Sequence, residues 1–453
     1  MAIVTHNPAT GETIKSFTPH DDTQVDAIVQ RVARAFPAWS ATPIEARAAA
    51  LARAARQLRE RRNHYAALIT LEMGKPAREA RAEVEKCAWG CEHYAEHAAR
   101  FLADEPIATD ASRSLITYQP LGTLLAIMPW NFPFWQVFRA CAPALAAGNT
   151  VLLKHASNVP QCALAIEEVF RESFPEDVLR TLLIGPEQAE KLVADPRVHA
   201  VTLTGSEAAG RRIAAGAGAA LKKSVLELGG SDAFVVLADA DLDHAAQLAV
   251  TSRFLNNGQS CIAAKRIILV PQIAAAFLER FTARLRALKQ GDPQRDDTDL
   301  GPMARSDLRD ALHRQVTESI NKGAVPLLGC APTPGPGYFY PASLLDQVKP
   351  GMPAYEEELF GPVAVVIRAT DEADALRIAN DSRFGLGGAV CTSDVAKGEA
   401  FARAMQCGQA FVNGLVKSDP RVPFGGIKAS GYGRELGLQG IREFVNAKVV
   451  WLR

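Results

Sequence analysis

Between about residues 121 and 239 the chain repeats one pattern: a short, almost unbroken apolar run, then a Gly, Pro or polar residue, then a helically spaced stretch. The runs are TLLAIMPW, TVLLKHAS, LRTLLIG, HAVTLTG and DAFVVLAD. A strand that is apolar without alternation is covered on both faces, so these runs predict a parallel sheet with helices on either side. A second set, KRIILV, GPVAVVI, GGAVCTS and QAFVNG, predicts another α/β unit. Ligands of such sheets sit beyond the carboxyl ends of the strands. The residues just after each run are therefore where chemistry is expected.

The first third of the chain is mostly helical in pattern. In EVEKCAWGCEHYAEHAARF the positions Val84, Cys87, Cys91, Tyr94, Ala98 and Phe101 step by three or four, which makes one buried stripe. Cys87 and Cys91, with His93 and His97 close by, do not have zinc-ligand spacing, and core packing is the expectation. RSLITYQP alternates as a strand does, and AKVVWLR ends the chain as a solitary strand. A bare terminal strand needs an edge to pair with, so pairing between subunits is expected.

Composition narrows the classes. Hydrophobic residues make up 48% and charged residues 22%, the balance of a soluble globular chain. Lys plus Arg and Asp plus Glu both total 50, and without a dense basic block no nucleic-acid footprint is expected. The run FVVLADADL falls well short of a membrane span. The start, MAIVTHNPATGETIKSF, lacks the basic head and apolar core of a secretory leader. Eight sparse cysteines suit a reducing compartment, so a cytoplasmic location is expected.

Four stretches could carry chemistry. In FLNNGQSCIAAKR, Cys261 follows a run of turn and amide residues, a place from which a side chain can reach a cleft. A lone cysteine is more often a packing residue, and GQSCI lacks the closing glycine of a hydrolase elbow. In LELGG, Glu227 ends a strand before two glycines, and it is either a base raised by burial or a surface glutamate. TGSEAAG opens a helix with Gly205 and Ser206 at its start, a weak phosphate signal that departs from G-x-G-x-x-G. In PWNFPFWQVFR, Asn131, Trp135 and Arg139 are four apart. A helix there would align an amide, an indole and a guanidinium on one face. That face reads equally as a substrate wall ending in a carboxylate grip and as an amphipathic helix with one snorkelling arginine.

Taken together, PWNFP, KHAS, TGSEAAG, LELGG, GQSCIAAKR, EEELFGPV, NDSRFGLGG and PFGGIKASGYGRELG resemble the NAD(P)-dependent aldehyde dehydrogenase superfamily, in the family's order and over nearly the whole chain. PWNFPFWQVFR, KHASNVPQCA and NGLVKSDPRVPFGG look most like its bacterial succinate semialdehyde branch. The resemblance implies an α/β fold: a Rossmann-type cofactor domain (1–105 and 122–228), an α/β catalytic domain (229–424), and a small β oligomerisation arm (106–121 and 425–453). It implies Cys261 as nucleophile, Glu227 as the base that activates water, and the Asn131 amide with the Cys261 N–H as oxyanion donors.

By the same resemblance, Trp130, Lys154, Ser157, Gly205, Ser206, Leu228, Glu358 and Phe360 contact the cofactor. Glu358 meets the nicotinamide-side ribose; Lys154 and Ser157 meet the adenine-side ribose. Where NAD-preferring members often carry a glutamate, this chain has Ser157, so NADP is expected to be preferred and NAD usable. Trp135, Arg139 and Ser418 are the expected substrate contacts, with Arg139 gripping a carboxylate. The implied substrate is succinate semialdehyde, with glutarate semialdehyde or a broad aliphatic range as the alternative. A homodimer or homotetramer is implied, with no metal and no membrane partner. Ile262 and Ala263 follow Cys261, so a neighbouring-cysteine disulfide switch is not expected.

Overall fold

The computed structural model describes residues 2–453. Its first large sheet has six strands in the order Gly431–Tyr432, Lys223–Glu227, Ala200–Thr204, Thr123–Met128, Thr150–His155, Leu179–Thr181. All neighbours are parallel except Gly431–Tyr432, which runs antiparallel to Leu226 and Glu227. The second has seven strands: Val325–Leu328, Ser343–Asp346, Val363–Arg368, Ala264–Leu269, Asp232–Val236, Gly387–Cys391 and Gln409–Val412. Every residue of Ala264–Leu269, Asp232–Val236 and Gly387–Cys391 is buried, the condition that unbroken apolar runs anticipate.

DAFVVLAD follows the first set of runs in the sequence but not in the structure. Asp232–Val236 pairs with Ala264–Leu269 and Gly387–Cys391, so it lies at the heart of the second sheet. An apolar run reports burial and says nothing about its neighbours. The crossing from one sheet to the other takes only residues 228–231, directly after Glu227.

The helix Ala77–Phe101 buries the whole anticipated stripe, Cys87 and Cys91 included. Among the described residues, no group of three or more His, Cys, Asp or Glu converges on a metal position. No described helix is long and apolar enough to cross a membrane.

Two expectations are corrected. The terminal strand is not solitary: Val445–Leu452 pairs antiparallel with Arg113–Pro120 of its own chain, residue for residue from Val445–Pro120 to Leu452–Arg113. These partners lie more than 300 residues apart, so no local pattern could reveal them. Val445–Leu452 forms one edge of this three-stranded sheet, with Val449 64% and Trp451 51% exposed. Nor is the 425–453 segment only an arm. Before reaching that sheet it pairs Ile427–Lys428 with Phe384–Gly385 in a separate two-stranded sheet and adds Gly431–Tyr432 to the end of the Glu227 strand, a strap between the first large sheet and the segment that leads into Gly387–Cys391.

Candidate active site

The stretch before Cys261 is a hinge with an unusual backbone. After the helix Leu242–Phe254, three consecutive residues take left-handed conformations: Asn256 (φ 59°), Asn257 (φ 56°) and Gly258 (φ 70°). Asparagine is among the few side chains that tolerate that region, and such strain persists only where surroundings over-determine it.

Here they do. Asn256 Nδ2 donates to the carbonyls of Asn131 (2.8 Å) and Gln259 (2.9 Å). Asn257 Nδ2 donates to Gly74 and Pro302, both at 2.9 Å, while its Oδ1 accepts from the Gly301 N–H at 2.8 Å. Gln259 Oε1 accepts from the Ala304 N–H at 3.0 Å. The buried Arg253 guanidinium donates to the carbonyls of Val363 (2.7 Å), Leu359 (2.9 Å) and Gly258 (3.0 Å). On the far side, Lys265 Nζ holds the carbonyls of Ser260 (2.7 Å) and Cys261 (2.8 Å). Gly230 faces this turn so closely that a Cβ would stand 2.6 Å from the Cys261 carbonyl oxygen. The sulfur is thereby held half-buried at the wall of a cavity.

That cavity has a volume of about 190 Å³, and its wall includes Cys261, Phe132, Trp135, Lys86, Ser418 and Phe424. Asn131 lies in the turn before the helix Trp135–Ala146, not on it, so only Trp135 and Arg139 share a helical face. The two prolines flanking this turn explain the late start, since the residue before proline is steered away from helical backbone. The Asn131 amide still reaches the hinge, donating to the Gln259 carbonyl at 3.1 Å.

Burial pushes the Cys261 thiol up to about 12, against the pull of Arg139 and Lys265. Glu227 closes its strand with both carboxylate oxygens buried and without a hydrogen-bond partner. Burial raises its carboxyl to about 8, with Arg139 pulling the other way. Gly425, in the strap PFGG, leaves that carboxylate its space, because a Cβ there would stand 2.7 Å from Glu227 Oε1.

Arg139 lines this cavity too. It is buried and forms an ion pair with the equally buried Glu435 of the strap, its guanidinium 4.4 Å from the Phe424 ring centre. Burial works against its charge, and Glu435 and then Glu227 hold it ionised. Arg139 supplies a positive field acting on both Cys261 and Glu227.

Ser418 lines the same cavity. Ser418 Oγ accepts from the Trp135 indole N–H at 2.9 Å and from Lys86 Nζ at 2.8 Å. Lys86, Glu83, Lys265 and Glu435 escaped the reading of the sequence. Glu83 accepts the free N–H groups of Phe134 (2.9 Å) and Trp135 (3.0 Å), capping that helix from a neighbouring one, and also pairs with Lys75. In sequence, Glu83 and Lys86 look like any charges flanking the apolar stripe of an amphipathic helix. Glu435 lay in plain view within GYGRELG, but nothing local links it to Arg139.

The expected cofactor residues gather at the carboxyl ends of the first sheet's strands. Trp130 follows Thr123–Met128, Gly205 follows Ala200–Thr204, and Lys154 and Ser157 lie at the end of Thr150–His155. Ser157 is exposed, and Lys154 is half-buried, which lowers its ammonium. Ser206 caps the helix Glu207–Ala219, accepting from the Ala209 N–H at 3.3 Å. Glu358 accepts from the Gly230 N–H at 3.0 Å and pairs with Lys265 at 3.2 Å. Phe360 meets Trp130 edge to face at 5.8 Å, and the Leu228 N–H donates to the Ser430 carbonyl at 3.1 Å.

Residues 1–450 match the aldehyde dehydrogenase family. The chain belongs to that family. It is accordingly an NAD(P)-dependent oxidoreductase for small aldehydes. This aldehyde dehydrogenase is 52% identical over 453 residues, covering 100% of both chains, to a protein of Synechocystis sp. named probable succinate-semialdehyde dehydrogenase (NADP(+)). It is 49% identical over 456 residues, again 100% of both, to succinate-semialdehyde dehydrogenase (NADP(+)) of Mycobacterium leprae. Among solved structures, the succinic semialdehyde dehydrogenase of Streptococcus pyogenes, in complex with NADP+, superposes with a TM-score of 0.97 at 36% identity over 99% of each chain. A structure described for cofactor and substrate selection by Gox0499 superposes at 0.99 with 41% identity over 100% of each.

Proposed function

We propose that this aldehyde dehydrogenase oxidises succinate semialdehyde to succinate with NADP, NAD serving less well. The observation that carries the reading is a cysteine fixed on an over-determined hinge and facing a small cavity whose other wall presents a cationic and hydroxylic cluster. Its volume of about 190 Å³ leaves room for a short aldehyde acid. The relatives named for this substrate match the chain from end to end.

The chemistry follows from the residues. The Cys261 thiolate attacks the aldehyde carbon, forming a C–S bond and placing the carbonyl electron pair on oxygen. Asn131 has two amide hydrogens, one spent on Gln259, leaving the other to meet that oxyanion together with the Cys261 backbone N–H. Bound nicotinamide coenzyme supplies the acceptor for the hydride lost from carbon, which leaves a thioester on Cys261. Glu227, unpartnered and raised towards neutrality, takes a proton from water as the water's oxygen attacks the thioester. The C–S bond then breaks, releasing the acid and restoring the thiolate. Arg139 and Lys265 favour the anionic forms of the sulfur.

The residues suit a 2′-phosphorylated coenzyme. Lys154 offers a cation at the strand end and Ser157 offers an exposed hydroxyl where an acidic side chain would repel a phosphate. Trp130, Gly205, Ser206, Leu228, Glu358 and Phe360 complete the cofactor wall, with residues 1–105 and 122–228 as its domain and 229–424 as the catalytic one. The bare outer edge of Val445–Leu452 supports pairing between copies, as a dimer or a pair of dimers, in the cytoplasm.

Initial rates of coenzyme reduction with succinate semialdehyde, glutarate semialdehyde and butanal, each with NADP and NAD, test the reading. The highest kcat/KM is expected for succinate semialdehyde with NADP. A higher value for butanal would replace it with the broad aliphatic alternative, and a clear NAD preference would remove the coenzyme assignment. The margin over glutarate semialdehyde is expected to be modest, because one methylene is worth roughly ten- to two-hundredfold.

A further inference from the structure

The helix Ala77–Phe101 carries Glu79 in its first turn, three places after its N-cap, Pro76. An acid at that position commonly folds back onto the N-cap N–H, but proline has none. The Glu79 carboxylate reaches outward instead and accepts from the Asn256 backbone N–H at 2.7 Å. Asn256 does not return that N–H to its own helix. Leu255 leaves the helix Leu242–Phe254 extended (φ −50°, ψ 139°), and the left-handed run begins at the next residue.

Glu79 stands half-buried on the wall of the cavity that also holds Cys261. The other groups that grip residues 256–258 are the Asn256 and Asn257 amides, backbone groups and the Arg253 guanidinium. Glu79 is the carboxylate among them. Near it are Lys75, paired with Glu83, and Arg78, whose guanidinium lies 3.3 Å from Asp299. Burial raises the Glu79 carboxyl to about 7 against the Asn256 N–H, Lys75 and Arg78, while Asp299 adds to the rise.

We infer, resting on Cys261 as the nucleophile read above, that Glu79 is a positioning residue for the sulfur, its ionised carboxylate holding the entrance of the left-handed turn on which Cys261 is set. A charged acceptor makes a hydrogen bond roughly twice as strong as a neutral one. The turn is therefore held tight when Glu79 is ionised and slackens when it takes a proton. Misplacing a reacting atom by about 1 Å costs on the order of a hundredfold in rate. Attack by the sulfur is the step that senses Glu79; attack by water, helped by Glu227, comes later.

The experiment isolates that first step. In the Glu227→Gln enzyme, which stops at the thioester, the stopped-flow burst with NADP and succinate semialdehyde should quicken as pH rises through about 7. Adding Glu79→Gln, isosteric and uncharged, should hold the burst at its low-pH rate, several-fold below the parent at the alkaline end. Adding Glu79→Ala, which removes the acceptor, should slow the burst by about 10- to 100-fold at every pH. Amide hydrogen exchange across 255–261 should run at least about tenfold faster in the alanine variant, with exchange in the helix Leu242–Phe254 unchanged. Glutamine keeps the shape, so the pH limb is read even where alanine unfolds the protein. A limb that survives Glu79→Gln overturns the inference, as do a burst and an exchange rate unaltered by Glu79→Ala. Absence of any burst in the Glu227→Gln parent refutes the reading of Cys261 and Glu227 instead, and the exchange rate still decides on Glu79.

Discussion

The hinge at residues 255–261 and the end of the Glu227 strand face the same reaction and are built oppositely. Along the hinge, Asn256, Asn257, Gln259, Arg253 and Lys265 tie strained backbone to at least four separate parts of the chain. At Glu227 the carboxylate oxygens touch no donor. The contrast separates two physical needs. A nucleophile must be in one place, so its backbone is over-determined. A base must take up and release a proton, and a carboxylate fixed by two or three donors would be too weak an acid-base group near neutral pH.

The largest effect should come from removing what the hinge presents. Cys261→Ser should lower aldehyde oxidation by at least about four orders of magnitude, while coenzyme binding, read by fluorescence titration, is retained. Next is Glu227→Gln, with an expected loss in steady-state rate of about 10²–10⁴-fold. Stopped-flow reduction should still show a first-turnover burst, since the thioester forms but is not hydrolysed. In the wild type, turnover should climb as pH rises through about 8, the carboxyl's raised value, and this limb should vanish in the glutamine variant.

Arg139→Met comes third. It leaves Glu435 buried without its cation, a cost of about 3–5 kcal/mol. Denaturant midpoints should fall and aldehyde oxidation should weaken. Asn257→Ala removes three hydrogen bonds and places alanine at φ 56°. About 2–3 kcal/mol of stability should go, with kcat falling because the sulfur is no longer held.

A further effect on stability is the pH dependence contributed by Glu227. Its folded carboxyl titrates above the unfolded one, so its contribution is fully present below about 4.5 and is lost as pH rises through about 8. Melting temperature should decline across that window, less steeply in Glu227→Gln.

Much of the site was legible because it is written in short segments. Cys261 among turn residues, Glu227 before two glycines and Ser206 opening a helix each announce themselves within a few positions. The misreadings share a different cause. The ion pair of Arg139 went unseen because Glu435 stands nearly 300 residues away, and the strand Val445–Leu452 read as solitary for the same reason. Lys86 was invisible because a charge beside an apolar stripe looks solvated until Trp135 and Ser418 close over it.

Periodicity, turn chemistry and the order of motifs, all interactions over a few residues, were enough to determine the alternation of strands and helices, the buried helical stripe and the identity of the reacting side chains. Which sheet each strand joined and which charges were paired across the chain were decided only by tertiary structure. Burial strips solvent from a charge, and its meaning then depends on whatever distant part of the chain is brought beside it.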